Sequence, residues 1–126
     1  MNYQGAVVWK KAMKLAIATC RCAAGLPAEE RFGLRSQMTR AAVSVPSNIA
    51  EGWARESRKE KAQFLAIAHG SAAELNTQVL ICRHLCWLSH GQSDPLLKLA
   101  DEVGRMLTVM RRGLRGGRSE EVEGRK

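Results

Sequence analysis

Apolar residues recur at intervals of three and four along the chain, and no segment shows the strict alternation of a half-buried strand. The pattern predicts four helices. The first, about residues 6 to 24, puts Val8, Ala12, Leu15, Ala16, Thr19 and Ala23 on one face, and Gly25 and Pro27 end it. Lys10, Lys11, Lys14 and Arg21 fall on the opposite face. The second, about 28 to 54, has Glu29 and Glu30 in its first turn, where carboxylates favour the helix dipole. Its apolar stripe is Leu34, Met38, Ala41, Ala42, Val45 and Ile49. Pro46 falls inside this stripe and predicts a kink, because proline removes one backbone hydrogen bond and crowds the carbonyl of Ala42.

Ser57-Arg58-Lys59-Glu60 has the form of a capping box and predicts a third helix starting at 58. The helix is expected to run to about Ser89, before Gly91, a length of roughly 48 Å at 1.5 Å per residue. Phe64, Ile67, Ala68, Ser71, Leu75, Gln78, Val79, Cys82, Leu85 and Cys86 form a broad core face. A second stripe lies roughly opposite: Ala66, Ala73, Leu80 and Trp87, each seven residues from the next, with His69, Asn76 and His84 between them. It reads either as ordinary surface or as a subunit interface. Asp94-Pro95 predicts the start of a fourth helix, with Leu96, Leu99, Ala100, Val103, Leu107 and Met110 on one face and fraying near Gly113. Residues 1–113 are thus read as one all-α, antiparallel up-down four-helix bundle, and 114–126 as a disordered polar tail.

Composition narrows the function classes. The 126 residues suit a single domain, and 20 Lys+Arg against 12 Asp+Glu give a net charge of +8, so an anionic partner is worth testing. No apolar run approaches the roughly 18 residues of a membrane span, and the opening Met1-Asn2-Tyr3-Gln4-Gly5 lacks signal-peptide order, so a cytoplasmic protein without membrane partners is expected. Basic residues concentrate in two places, Lys10, Lys11, Lys14 and Arg21 on the first helix, and Arg111, Arg112, Arg115 and Arg118 in an arginine-glycine segment of a kind used on RNA. These are the candidate nucleic-acid contacts, with a solvated face and a soluble tail as the alternative. Glu120, Glu121 and Glu123 partly neutralise the second cluster.

Catalytic and metal chemistry find little footing. Cys82 and Cys86 share a helix face, whereas His84 points about 200° away from Cys82, so the three cannot close around one ion on a regular helix. Cys20 and Cys22 diverge likewise, and the four cysteines read as reduced core residues. No Gly-x-Ser-x-Gly elbow and no phosphate-binding glycine loop is present. No catalytic residue, metal or cofactor is therefore assigned. The polar positions Gln37, Arg40, Ser44, Ser47 and Glu51, with Ser71, Glu74 and Gln78, read as a network fixing helix register or as the lining of a ligand pocket.

Several motifs carry a family likeness: Val8-Trp9-Lys10-Lys11-Ala12, Glu30-Arg31-Phe32-Gly33-Leu34, Gln37, and the run Arg40-Ala41-Ala42-Val43-Ser44-Val45-Pro46-Ser47-Asn48-Ile49-Ala50-Glu51-Gly52. They continue through Phe64-Leu65, Ala68-His69-Gly70-Ser71 and Glu74-Leu75-Asn76-Thr77-Gln78. Over roughly residues 7 to 90 the chain resembles the four-helix-bundle proteins found in intervening sequences of large-subunit ribosomal RNA genes. The resemblance implies assembly as a ring-shaped homopentamer. It also implies kinship with accessory proteins of diversity-generating retroelements, which bind reverse transcriptase and nucleic acid, and it assigns no catalytic residues. The chain departs from the family's pattern at Cys20-Arg21-Cys22, where an aromatic residue is common, and the arginine-rich tail lies outside the motif. The expected function is a non-enzymatic oligomeric accessory protein that binds RNA or DNA, with a protein-interaction scaffold as the alternative.

Overall fold

Short connections dictate the topology. In the computed structural model, which describes residues 3–124 and side chains as far as residue 116, four helices follow one another: α1 (Val7–Ala23), α2 (Leu34–Ala54), α3 (Arg58–His84) and α4 (His90–Gly124). Such brief links return each helix antiparallel to the one before it. α1 packs against α2 and α4, and α3 against the same two, so the helices close an up-down bundle. The core confirms the direction. Val8 of α1 and Leu65 of α3 share a cluster with Ile49 of α2 and Leu107 of α4, while Leu15 and Val79 share the other with Met38 and Leu96.

The six apolar positions expected to face inward on α1 are all buried. α2 buries Met38, Ala41, Ala42, Val45, Pro46, Ile49 and Gly52, and it passes through Pro46 without a break. It starts six residues later than the pattern predicts. A 3-10 turn at Ala28–Glu30 follows Pro27 instead, and the Glu30 carboxylate accepts from the Leu34 amide at 3.3 Å. Glu30 thus serves the helix start from the preceding turn rather than from within it.

α3 starts where the capping box places it, with the Glu60 amide donating to Ser57 Oγ at 3.1 Å. Its inward face keeps Ala68, Leu75, Gln78, Val79 and Cys82 of the expected one, all buried, and is rotated for the rest. Leu65 and Ala72 are buried, Phe64 and Ser71 are half-buried, and Ile67 and Leu85 are 50% and 51% exposed. Apolar residues are spread around so much of α3 that periodicity alone does not choose between two neighbouring stripes, and packing against α2 and α4 does. α3 also stops at His84, so its 27 residues span roughly 40 Å.

The stop is a Schellman motif: the Trp87 amide donates to the Cys82 carbonyl at 2.9 Å and the Cys86 amide to the Arg83 carbonyl at 3.0 Å. Cys86 takes φ 61° there, the left-handed conformation usually given to glycine. A second capping box follows at once. The Gln92 amide donates to Ser89 Oγ at 3.1 Å, and the Ser89 amide donates to Gln92 Oε1 at 2.9 Å. This reciprocal cap starts α4 at His90, ahead of the Asp94-Pro95 start read from the sequence, and leaves Pro95 inside the helix. At its other end α4 is helical to Gly124, past the Gly113 at which fraying is expected and through most of the segment read as a tail.

Replacing Cys86 by glycine relieves left-handed strain of about 1–2 kcal/mol and is partly offset by the greater backbone freedom glycine has when unfolded. The expected net gain is up to about 1 kcal/mol in urea denaturation, with Cys86→Val less stable than the native chain. A Cys86→Gly variant no more stable than the native protein would show that this position carries no strain.

Candidate nucleic-acid interface

Lys11 reaches from α1 to α4, its Nζ 2.6 Å from Glu102 Oε2. The hydrogen bond from Lys11 holds the Glu102 carboxyl below the usual carboxylate range against the opposing effect of desolvation, and the charges of Lys11, Lys98 and Lys14 add to it. Three lysines from two helices therefore surround one carboxylate. Lys10 and Lys14 are exposed and one turn apart, so they extend the same basic face. Arg21 is exposed two turns beyond Lys14, at the rim of a groove between α1 and α2.

The sequence reading missed Lys98 and Arg105. Lys98, Arg105 and Arg112 are spaced by seven on α4, all exposed, and form a basic stripe down its outer face. Their seven-residue spacing on α4 is the signal in the sequence that points to them. Arg105 Nε bonds Asp101 Oδ2 at 3.0 Å. Of the arginine-glycine candidates, Arg111 is half-buried, Arg112 and Arg115 are exposed, and the side chain of Arg118 lies outside the described residues.

Beside that stripe runs an open groove of about 610 Å³ between α3 and α4, lined by His69, Ala73 and Asn76 from one helix and by Asp101, Gly104, Arg105, Thr108 and Arg112 from the other. His69 Nε2 and Thr108 Oγ1 meet across it at 3.1 Å. Thr108 also donates to the Gly104 carbonyl at 3.0 Å, which uses its one proton, so His69 is the donor in the pair. That arrangement does not activate the hydroxyl as a nucleophile.

The four subunit-interface candidates do not form one exposed stripe. Ala73 is exposed at the groove, Ala66 and Leu80 are half-buried, and Trp87 lies beyond the end of α3, packed against the chain's own core. The polar positions are also divided. Ser44 and Ser71 share a hydrogen bond of 2.8 Å across α2 and α3, Asn48 donates to Ser44 Oγ at 2.9 Å, and Gln78 donates to Glu74 at 3.3 Å. Glu51 pairs with Arg55, while Gln37, Arg40 and Ser47 face outward. Of these bonds Ser44–Ser71 joins two helices, and the others lie between residues four apart in the chain.

All four cysteines are free thiols. Cys82 is buried and its Sγ lies 3.4 Å from Met38 Sδ; burial, with the charge of Glu30, pushes its thiol up, and burial alone does the same for Cys22. Among the described residues no three His, Cys, Asp or Glu side chains are gathered to hold a metal ion, and no helix is long and apolar enough to cross a membrane.

The chain is similar in structure to a crystallised protein of unknown function from the S23 ribosomal protein family of Bacteroides thetaiotaomicron. The two are 21% identical, with a TM-score of 0.78 over 83% of this chain and 98% of that one, a likeness that shows the fold. No curated protein matches the chain. The model of the 23S rRNA-intervening sequence proteins matches residues 4–109. That match takes in all of α1, α2 and α3 and most of α4, and the chain belongs to the 23S rRNA-intervening sequence protein family.

Proposed function

We propose that the protein is a non-enzymatic accessory protein that binds RNA or DNA through the face shared by α1 and α4. The observation that carries this reading is the Lys11–Glu102 contact of 2.6 Å between α1 and α4, on a face where Lys14 and Lys98 are exposed and add their positive charge at that carboxylate. Folding places three like charges near a single carboxylate there, which pairs with Lys11, and a polyanion relieves the repulsion that is left. Phosphate contacts of this kind position a nucleic acid without reading its bases. The family's description places its members in 23S rRNA intervening sequences, a nucleic-acid setting. Assembly into a homo-oligomer, with five subunits as the resemblance implies, repeats the face once per subunit and multiplies weak contacts.

Neutralising four phosphates on duplex DNA corresponds to a slope of log affinity against log salt near about −3.6. Lys14→Gln with Lys98→Gln is expected to bring that slope about 1.8 closer to zero, as read by fluorescence anisotropy across a salt series. Glu102→Gln removes the opposing charge and is expected to tighten binding at neutral pH. A native protein that binds neither RNA nor DNA at about 50 mM salt, a condition that favours phosphate attraction, sinks the reading.

The Glu102 carboxyl also sets an acid limb of stability. Its folded pKa is depressed, so its contribution is present above the unfolded carboxylate value and is lost as pH falls through the folded one. Chemical denaturation at neutral pH is therefore expected to find Glu102→Gln less stable than the native chain, with the gap closing on acidification.

A second reading, self-association as a protein scaffold, is favoured by the groove of about 540 Å³ between α1 and α2. Tyr3, Trp9, Met13, Ile17 and Val43 line it, with Ile17 and Val43 45% and 46% exposed. Large apolar side chains clustered at a surface mark contact sites. Sedimentation is expected to show an oligomer that Ile17→Glu dissociates while the helical circular dichroism is kept. A native monomer at micromolar concentration removes this reading.

A further inference from the structure

We propose that the groove between α3 and α4 takes one unstacked nucleotide of a single strand whose phosphates lie on the basic face. The inference rests on the nucleic-acid reading above and adds a site and a strand preference to it. The lysines at the α1/α4 seam lead across the outer face of α4, through Lys98, Arg105 and Arg112, to the lip of the groove. A backbone following these charges therefore reaches a cavity.

The cavity's lining suits a base. Its volume of about 610 Å³ lies within the roughly 300–1,000 Å³ of ligand clefts. The buried Ala72 and Ala100 line it at depth, with His69 and Asn76 contributed by α3 and Gly104, Arg105 and Arg112 by α4. Unstacked bases are held on imidazole and guanidinium planes and by hydrogen bonds to their edges, so the shortage of aromatic rings is no bar. With His69 Nε2 donating to Thr108, the neutral ring leaves Nδ1 as an acceptor for a base amino group. A helix of a second copy suits the groove less well, because it would cover the charged Asp101, Arg105 and Arg112.

Gly104 is one of several helical glycines, with Gly70, Gly113 and Gly116, that the chain's own packing does not explain, and it is the one of these that lines this groove. Glycine is a poor choice in a helix interior, yet a Cβ added there meets no atom within 4 Å and the residue has no positive φ. Nothing in the bundle requires a glycine at that point, and its absent side chain keeps the groove open.

Gly104→Leu therefore projects a side chain at the groove from a Cβ that meets no atom within 4 Å, and with a better helix former; helical circular dichroism checks that the variant keeps its fold. Short oligouridylate and oligothymidylate, and a mixed-sequence DNA duplex, are titrated against the full chain and this variant. The expected result is a loss of about tenfold or more for both single strands with the duplex unchanged, a difference in keeping with one held base. In the native protein the His69 ring resonance is expected to shift with oligouridylate and not with inorganic phosphate. Equal affinities of Gly104→Leu and the native chain for the single strands overturn the groove site. If Lys14→Gln with Lys98→Gln still weakens binding in that case, the basic-face reading stands without the groove. If the native chain binds neither probe, both readings fall.

Discussion

Close approach of α2 and α3 is the constraint on which the rest of the bundle depends. Gly52 permits it at one end, since a Cβ there would lie 3.1 Å from Phe64 Cβ and 3.4 Å from the Lys61 carbonyl. The hydrogen bond between Ser44 and Ser71 holds it further along, with Ala41 and Ala42 of α2 and Ala68 and Ala72 of α3 buried as small residues on either side. Small side chains bring helix axes together, and a polar pair that can be satisfied only in one alignment fixes how they slide. Arg55 closes the turn between them, its guanidinium 4.8 Å from the Phe64 ring centroid. With this pair set, α1 and α4 complete the core with larger residues such as Leu15, Leu96 and Leu107.

Basic residues are spread over all four helices, and α1 carries Lys10, Lys11, Lys14 and Arg21. α1 has no acidic residue, and the middle of α4 is dominated by lysine and arginine. The lysines are exposed or half-buried, so their mutual repulsion is moderated by water and salt and does not prevent folding. Glu102 is placed to tie Lys11 across the seam, which links the two charged helices while leaving most of the positive field uncancelled. Small residues thus pack tightly between α2 and α3, and on the opposite side ion pairs such as Lys11–Glu102 tie α1 to α4.

The region where α3 and α4 meet shows the same logic at smaller scale. Cys86 accepts a left-handed backbone so that α3 can end and Leu88 can enter the core, and Ser89 begins α4 three residues after it. The early end of α3 takes Trp87 off the helix and onto the core, where its large ring is worth more than at an exposed stripe. Further along, Gly104 and Ala73 leave a gap that the bundle does not fill.

The sequence by itself determined the four-helix character, the inward faces of α1, α2 and most of α4, the Ser57 cap and the family, because a helix's own periodicity and its local capping residues are recorded within a few positions of one another. The basic cluster on the first helix and the arginine-glycine segment were also visible in it, and so was the polar character of Ser44 and Ser71. The tertiary structure decided which way α3 turns, that it stops at His84, that Glu30 caps α2 from outside, and that Lys98 joins Lys11 and Lys14 around Glu102. These depend on which side chains from different helices come to lie opposite one another. Residues 91 positions apart, such as Lys11 and Glu102, leave no mark on each other in a local pattern; only the packing of the small-residue pair α2 and α3, and the closure of α1 and α4 around it, brings them to 2.6 Å.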